Sequence, residues 1–137
     1  LSEFLSQGIR IFMATPYLDE AERCSRIALI SDGHGLAVDR PSQMRAGFAD
    51  EVVEVLAEPA DVVERLLRQA PGVRDVQGFG ERLHVRVPRG SGEAAIADFA
   101  GMLERAAARV TSVRVVPASL EDVFLDCGAT TRDAGAA

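Results

Sequence analysis

A chain of 137 residues with 47% hydrophobic and 26% charged content suits one ordinary globular domain or two small ones. Its net charge of −6 argues against a general nucleic-acid binder, whose affinity rests on neutralising phosphates. All 15 basic residues are arginine, which excludes a lysine-bearing phosphate loop and a lysine Schiff base within the chain, and no apolar run approaches the roughly 20 residues of a membrane-crossing helix.

Residues 9–14 read as a strand leading into Thr15-Pro16-Tyr17. Thr15 can act as an N-cap and Pro16 can take the first helical position, where its missing N–H has no intrahelical partner to lose. Asp19 and Glu20 then fall in the first turn and Arg23 and Arg26 follow, an order that suits the helix dipole. Asp19/Arg23 and Glu22/Arg26 have i,i+4 spacing, and Tyr17, Ala21 and Cys24 share one face. Residues 27–30 form an uninterrupted apolar run, the pattern of a strand buried on both faces. Residues 31–35 make a turn, 36–38 a returning strand, and a short helix through Met44 to Phe48 follows.

A second unit starts near Asp50. Residues 51–56 read as a strand with Val53 and Val55 facing away from Glu54, and Pro59 opens a helix whose stripe is Val63, Leu66, Leu67 and Ala70. Residues 73–77 and 83–87 pair as a hairpin across Gly78-Phe79-Gly80, with Leu83, Val85 and Val87 inward and His84 and Arg86 outward. Ser91 can cap a helix striped by Ile96, Phe99, Ala100, Leu103 and Ala107, and residues 110–116 form the last strand. The order β-α-β-β-α-β is the split, ferredoxin-like arrangement, an α+β fold. A final helix begins at Ser119, whose spacing to Asp122 is that of a capping box; Leu120, Val123, Phe124 and Cys127 can share its apolar face. Gly128 is expected to end it, leaving residues 128–137 as a flexible tail or linker.

Three pieces in this order carry a resemblance. They are Thr15 to Cys24 followed by Arg26-Ile27-Ala28-Leu29, the turn and helix over residues 32–48, and Leu120-Glu121-Asp122-Val123-Phe124-Leu125 near the end. Together they resemble the last part of ABC transporter ATP-binding subunits of the drug-resistance, ABC-2-associated exporter class, which carry a small accessory domain after the nucleotide-binding domain. The resemblance covers residues 1–127. It implies an α/β end of a nucleotide-binding domain over 1–48 and a ferredoxin-like regulatory or interaction domain over 50–127. It also implies a full-length subunit that binds Mg-ATP, works with a second nucleotide-binding domain and a membrane-spanning permease subunit, and lies at the cytoplasmic face of the membrane. Leu1 in place of methionine fits a piece of a longer protein, and no basic region with an apolar core marks a signal peptide.

The family's switch loop has a Thr-His pair whose histidine contacts the γ-phosphate. Here Pro16 holds that place, with neither side-chain donor nor N–H, and Ser25 stands where the family usually has aspartate. Thr15, Pro16 and Tyr17 are therefore expected as a degenerate switch loop with no catalytic residue. No complete cofactor site and no metal site are expected, since Cys24 and Cys127 lie far apart in the chain and have no metal-ligand spacing. Leu120 to Leu125 is expected either as core packing or as a helix docking on a neighbouring domain or subunit. His34 reads as a solvated turn residue, His84 as a surface residue, Asp19, Glu20 and Glu22 as a solvated helix face, and Phe48 and Phe79 as core or edge packing. The alternative to a transporter fragment is a stand-alone ferredoxin-like ligand-sensing or dimerisation module, for which residues 1–48 would be dispensable.

Overall fold

Val53 and Val55 point to one side of a central strand and Val52 and Glu54 to the other, and all four are buried. That strand organises the molecule. The structure, a computed structural model, describes residues 13–31 and 33–135. In chain order they form α1 (Leu18–Ala21), β1 (Ile27–Ser31), β2 (His34–Asp39), α2 (Pro41–Ala46), β3 (Glu51–Glu58), α3 (Ala60–Gln69), β4 (Asp75–Phe79), β5 (Arg82–Val87), α4 (Gly92–Arg105), β6 (Arg109–Val116) and α5 (Leu120–Gly135). The architecture is mixed α/β. β1 and β2 make a two-stranded antiparallel sheet, and the larger sheet has the order β4-β5-β3-β6 with every neighbouring pair antiparallel.

Two apolar cores lie on opposite sides of β3. The first fills the space between the larger sheet and α3 and α4, with Val53, Val55, Val85, Val63, Leu67 and Leu103 at its centre. Fully burying each such side chain is worth roughly 1.5–3 kcal/mol. The second core joins Ile27 and Leu29 of β1, Met44, Phe48, Val52 of β3, and Leu120 and Val123 of α5. Leu18, Ala21 and Cys24 pack at its margin, as do Phe124 and Cys127. α5 thus packs residues 27–48 and the larger sheet together.

Several local expectations change in this setting. Ile27 and Leu29 are buried but Ile30 is 64% exposed, so β1 alternates instead of being buried on both faces. Among the described residues it pairs with β2 alone, and the second core covers one side of the ribbon. α1 is a single turn starting at Leu18, one position after Tyr17, which is 64% exposed and leaves the packing face to Leu18, Ala21 and Cys24. Of the expected strand over residues 9–14, residues 9–12 lie outside the described residues, and Met13 and Ala14 are not in a strand. Glu22 pairs with Arg45 of α2 instead of with Arg26, because the helix stops at Ala21.

In the β4–β5 hairpin, Phe79 pairs with Arg82, so the turn is Gly80-Glu81, and Gly80 takes a positive φ of 65°. Ser91 occupies the N-cap position of α4, but its hydroxyl donates to the Pro88 carbonyl. The capping falls to the Glu51 carboxylate of β3, which accepts the Gly90 and Gly92 N–H groups at 2.8 Å each. α4 ends at Arg105, so Ala107 leaves the helical stripe and sits at φ 57°. α5 passes through Gly128 and runs to Gly135, where a helix stop at Gly128 and a tail were expected. A helical glycine costs only about 1 kcal/mol relative to alanine, and no proline follows to enforce a stop.

Candidate functional site

The Thr15-Pro16-Tyr17 loop precedes α1 at the surface. The Thr15 hydroxyl accepts the Tyr17 N–H at 3.1 Å and donates to Glu20 Oε2 at 2.6 Å, closing a local turn that starts the helix at Leu18. Thr15 is thereby engaged in ordering its own loop, and Pro16 beside it is exposed and offers no donor. Asp19 and Glu20 are exposed, as a solvated helix face requires, while Glu22 is half-buried against Arg45.

The densest set of polar side chains lies elsewhere, under α5. The capping box at its start has formed: Asp122 Oδ2 accepts both the Ser119 N–H and the Ser119 hydroxyl at 2.9 Å, and the Asp122 N–H donates to Ser119 Oγ at 3.2 Å. The same carboxylate meets His84 of β5, whose Nδ1 lies 3.1 Å from both Asp122 oxygens. His84 Nε2 lies 3.5 Å from Glu54 Oε2, so a carboxylate faces each ring nitrogen. Glu54 also accepts two bonds from Arg114 of β6 at 3.1 and 2.8 Å, and Arg82 reaches it at 3.5 Å. The expected surface position of His84 is therefore wrong. Its strand does alternate, but the face assigned to solvent is covered by α5, and the ring is only 12% exposed.

One step along the strand the pattern repeats. Arg86 donates to Asp50 Oδ2 at 3.1 and 2.7 Å and to Asp126 of α5 at 2.9 Å, with its guanidinium 5.0 Å from the centroid of the Phe48 ring. Arg74 takes the other Asp50 oxygen at 3.2 Å. Phe48 is buried in the second core, and Phe79 sets its ring edge-on to His84 at 4.8 Å. Among the described residues no buried side-chain nitrogen or oxygen lacks a partner.

The electrostatics follow from these contacts. The Asp122 hydrogen bond, against the opposing effect of burial, raises the His84 imidazole above its ordinary value. Burial alone would raise Asp122 and Glu54. The His84 and Ser119 bonds outweigh it for Asp122, and Arg114, Arg82 and His84 outweigh it for Glu54, so both carboxyls are held below their usual range. Burial pushes the Cys127 thiol up, which makes it a poor nucleophile.

Leu120 to Leu125 thus divides by face. Leu120 and Val123 enter the second core, Asp122 joins the polar cluster, Phe124 and Leu125 are half-buried, and Glu121 faces solvent. His34 is exposed at the start of β2. Among the described residues no group of three or more His, Cys, Asp or Glu could hold a metal ion, and no helix is long and apolar enough to cross a membrane. Sequence reasoning missed Glu54, His84, Arg86, Asp50 and Asp126 as a group. A signal was there: Arg82, His84 and Arg86 on alternate strand positions match Asp122 and Asp126 one helical turn apart.

No family model matches the chain. It is 30% identical over 123 residues to the daunorubicin resistance ATP-binding protein DrrA2 of Streptomyces coeruleorubidus. The match takes in 86% of this chain and 38% of that relative, so the chain spans well under half the length of the curated protein it matches.

Proposed function

We propose that this chain is the C-terminal part of the ATP-binding subunit of an ABC exporter of the drug-resistance, ABC-2-associated class. In this reading residues 1–48 close a nucleotide-binding domain and 50–127 form a ferredoxin-like accessory domain, with α5 docked across both. The observation that carries it is the 30% identity to an ATP-binding drug-resistance protein along 86% of the chain. The ferredoxin-like assignment is supported by the order β3-α3-β4-β5-α4-β6 and the antiparallel arrangement β4-β5-β3-β6.

Thr15, Pro16 and Tyr17 are a degenerate switch loop on this reading. Thr15 spends its hydroxyl on Tyr17 and Glu20, and proline cannot contact a phosphate through a side-chain donor. A full-length subunit would bind Mg-ATP with a second nucleotide-binding domain and drive a permease subunit from the cytoplasmic face of the membrane. The 137-residue chain by itself lacks the lysine-bearing phosphate loop, the signature motif and the Walker B acids of such a subunit, and purified chain incubated with Mg-ATP is expected to release no phosphate above the protein-free rate. Turnover that survives further purification would refute this. The coding region upstream of Leu1 tests the family: a glycine-rich phosphate loop with its lysine is expected there, and a finished open reading frame without one would overturn the assignment.

A further inference from the structure

α5 is fastened to the larger sheet by two acidic pins. Asp122 and Asp126 are one helical turn apart, about 6 Å along the axis, and His84 and Arg86 are two strand residues apart, about 7 Å. The spacings match, so Asp122 meets His84 and Asp126 meets Arg86 in one register. The pins differ in kind. Arg86 keeps its charge at any ordinary pH, whereas an imidazole gives its charge up near neutrality.

His84 is placed for both ring nitrogens to donate. Asp122 lies at Nδ1 and Glu54 at Nε2, and a neutral imidazole has one N–H, so it leaves one carboxylate facing a lone pair. The charged groups around it come from every neighbouring element: Asp122 from α5, Glu54 from β3, Arg82 from β5 itself and Arg114 from β6, the two arginines engaging Glu54. Gln77 of β4, opposite His84 in the ladder, carries no charge.

We propose that His84 is a proton-operated latch: its imidazolium holds the start of α5 on the sheet, and loss of the proton loosens that docking. Because α5 also covers Met44, Phe48 and Val52, the latch governs how firmly residues 27–48 are held to the sheet. The inference stands on contacts within this chain and does not depend on the transporter reading. The direction is fixed by linkage. A histidine held above its ordinary value of about 6.5 gives its full contribution below that pH and loses it as pH rises through the raised midpoint.

The test follows backbone amide exchange by NMR between pH 6 and pH 9, with the His84 ring signal recorded in the same samples. Exchange at Val123 to Cys127 is referenced to the amides of Val63 to Leu67 in α3, which cancels the intrinsic pH dependence of exchange. Relative exchange in α5 is expected to rise roughly fivefold across the His84 midpoint, the difference between a charge-assisted and an ordinary hydrogen bond. In His84→Gln the ratio should stay flat with pH. A flat ratio in the unsubstituted chain, or a pH-dependent one in His84→Gln, overturns the proposal. Should His84→Gln fail to fold, Asp122→Asn decides: the His84 midpoint must move down, and an unmoved midpoint overturns the latch.

Discussion

Glu54 illustrates how one residue changes meaning once its surroundings are known. In the sequence it is the polar member of an alternating strand; in the fold it is buried between Arg114, Arg82 and His84. Replacing Glu54 with Gln removes the charge and keeps the shape. Hydrogen bonds to charged groups contribute about 1.5–3 kcal/mol, and the side chains of Arg114 and Arg82 are more than half exposed, which discounts the pair. A loss of about 1–2 kcal/mol in urea unfolding at pH 7 is expected. Because the Glu54 carboxyl is held low, its contribution is present above its ordinary value of 4.5 and disappears as pH falls through the lowered midpoint. The gap between Glu54→Gln and the unsubstituted chain should therefore close on acidification, and a gap that persists at pH 2 would contradict the account.

At the scale of elements, helix ends are where local rules and tertiary structure compete. The start of α5 follows the local rule: Ser119 and Asp122 form the capping box that their spacing announces. The start of α4 does not, because Glu51 from β3 reaches the exposed N–H groups and the nominal cap Ser91 turns away. The end of α4 closes with the Ala108 N–H on the Leu103 carbonyl and the Ala107 N–H on the Glu104 carbonyl, both at 3.0 Å. This double closure needs a left-handed residue, and Ala107 supplies it at φ 57° against its own preference. Ala107→Gly is expected to stabilise the chain by about 1 kcal/mol, raising the urea midpoint with an unchanged slope. A loss of stability would mean that the Ala107 methyl packs favourably and the strain argument is wrong.

For the whole molecule, the two cores differ in how they depend on chain length. The core beneath α3 and α4 uses residues from Val53 onward, whereas the second core needs Ile27, Leu29, Met44 and Phe48 together with Val52, Leu120 and Val123. A shortened chain starting at Asp50 should keep the exchange protection of Val63, Leu67 and Leu103. It should lose protection in α5 and bind an apolar dye, because Val52, Leu120 and Val123 lose their cover. Full protection of α5 in that chain would favour a free-standing module instead. Periodicity made the strand and helix faces legible: Leu83, Val85 and Val87 inward, the α3 stripe, and the Ser119–Asp122 cap all follow from contacts within a few residues. The sequence by itself also determined that no lysine-bearing phosphate loop lies within these 137 residues, since every basic residue is arginine. Only the tertiary structure decided that the polar face of β5 is covered. His84 and Asp122 are 38 positions apart, and alternation tells which residues share a face but not what is laid over it. Burial of that face turns scattered surface charges into one connected cluster, because carboxylates withdrawn from water must find cations or donors within the fold.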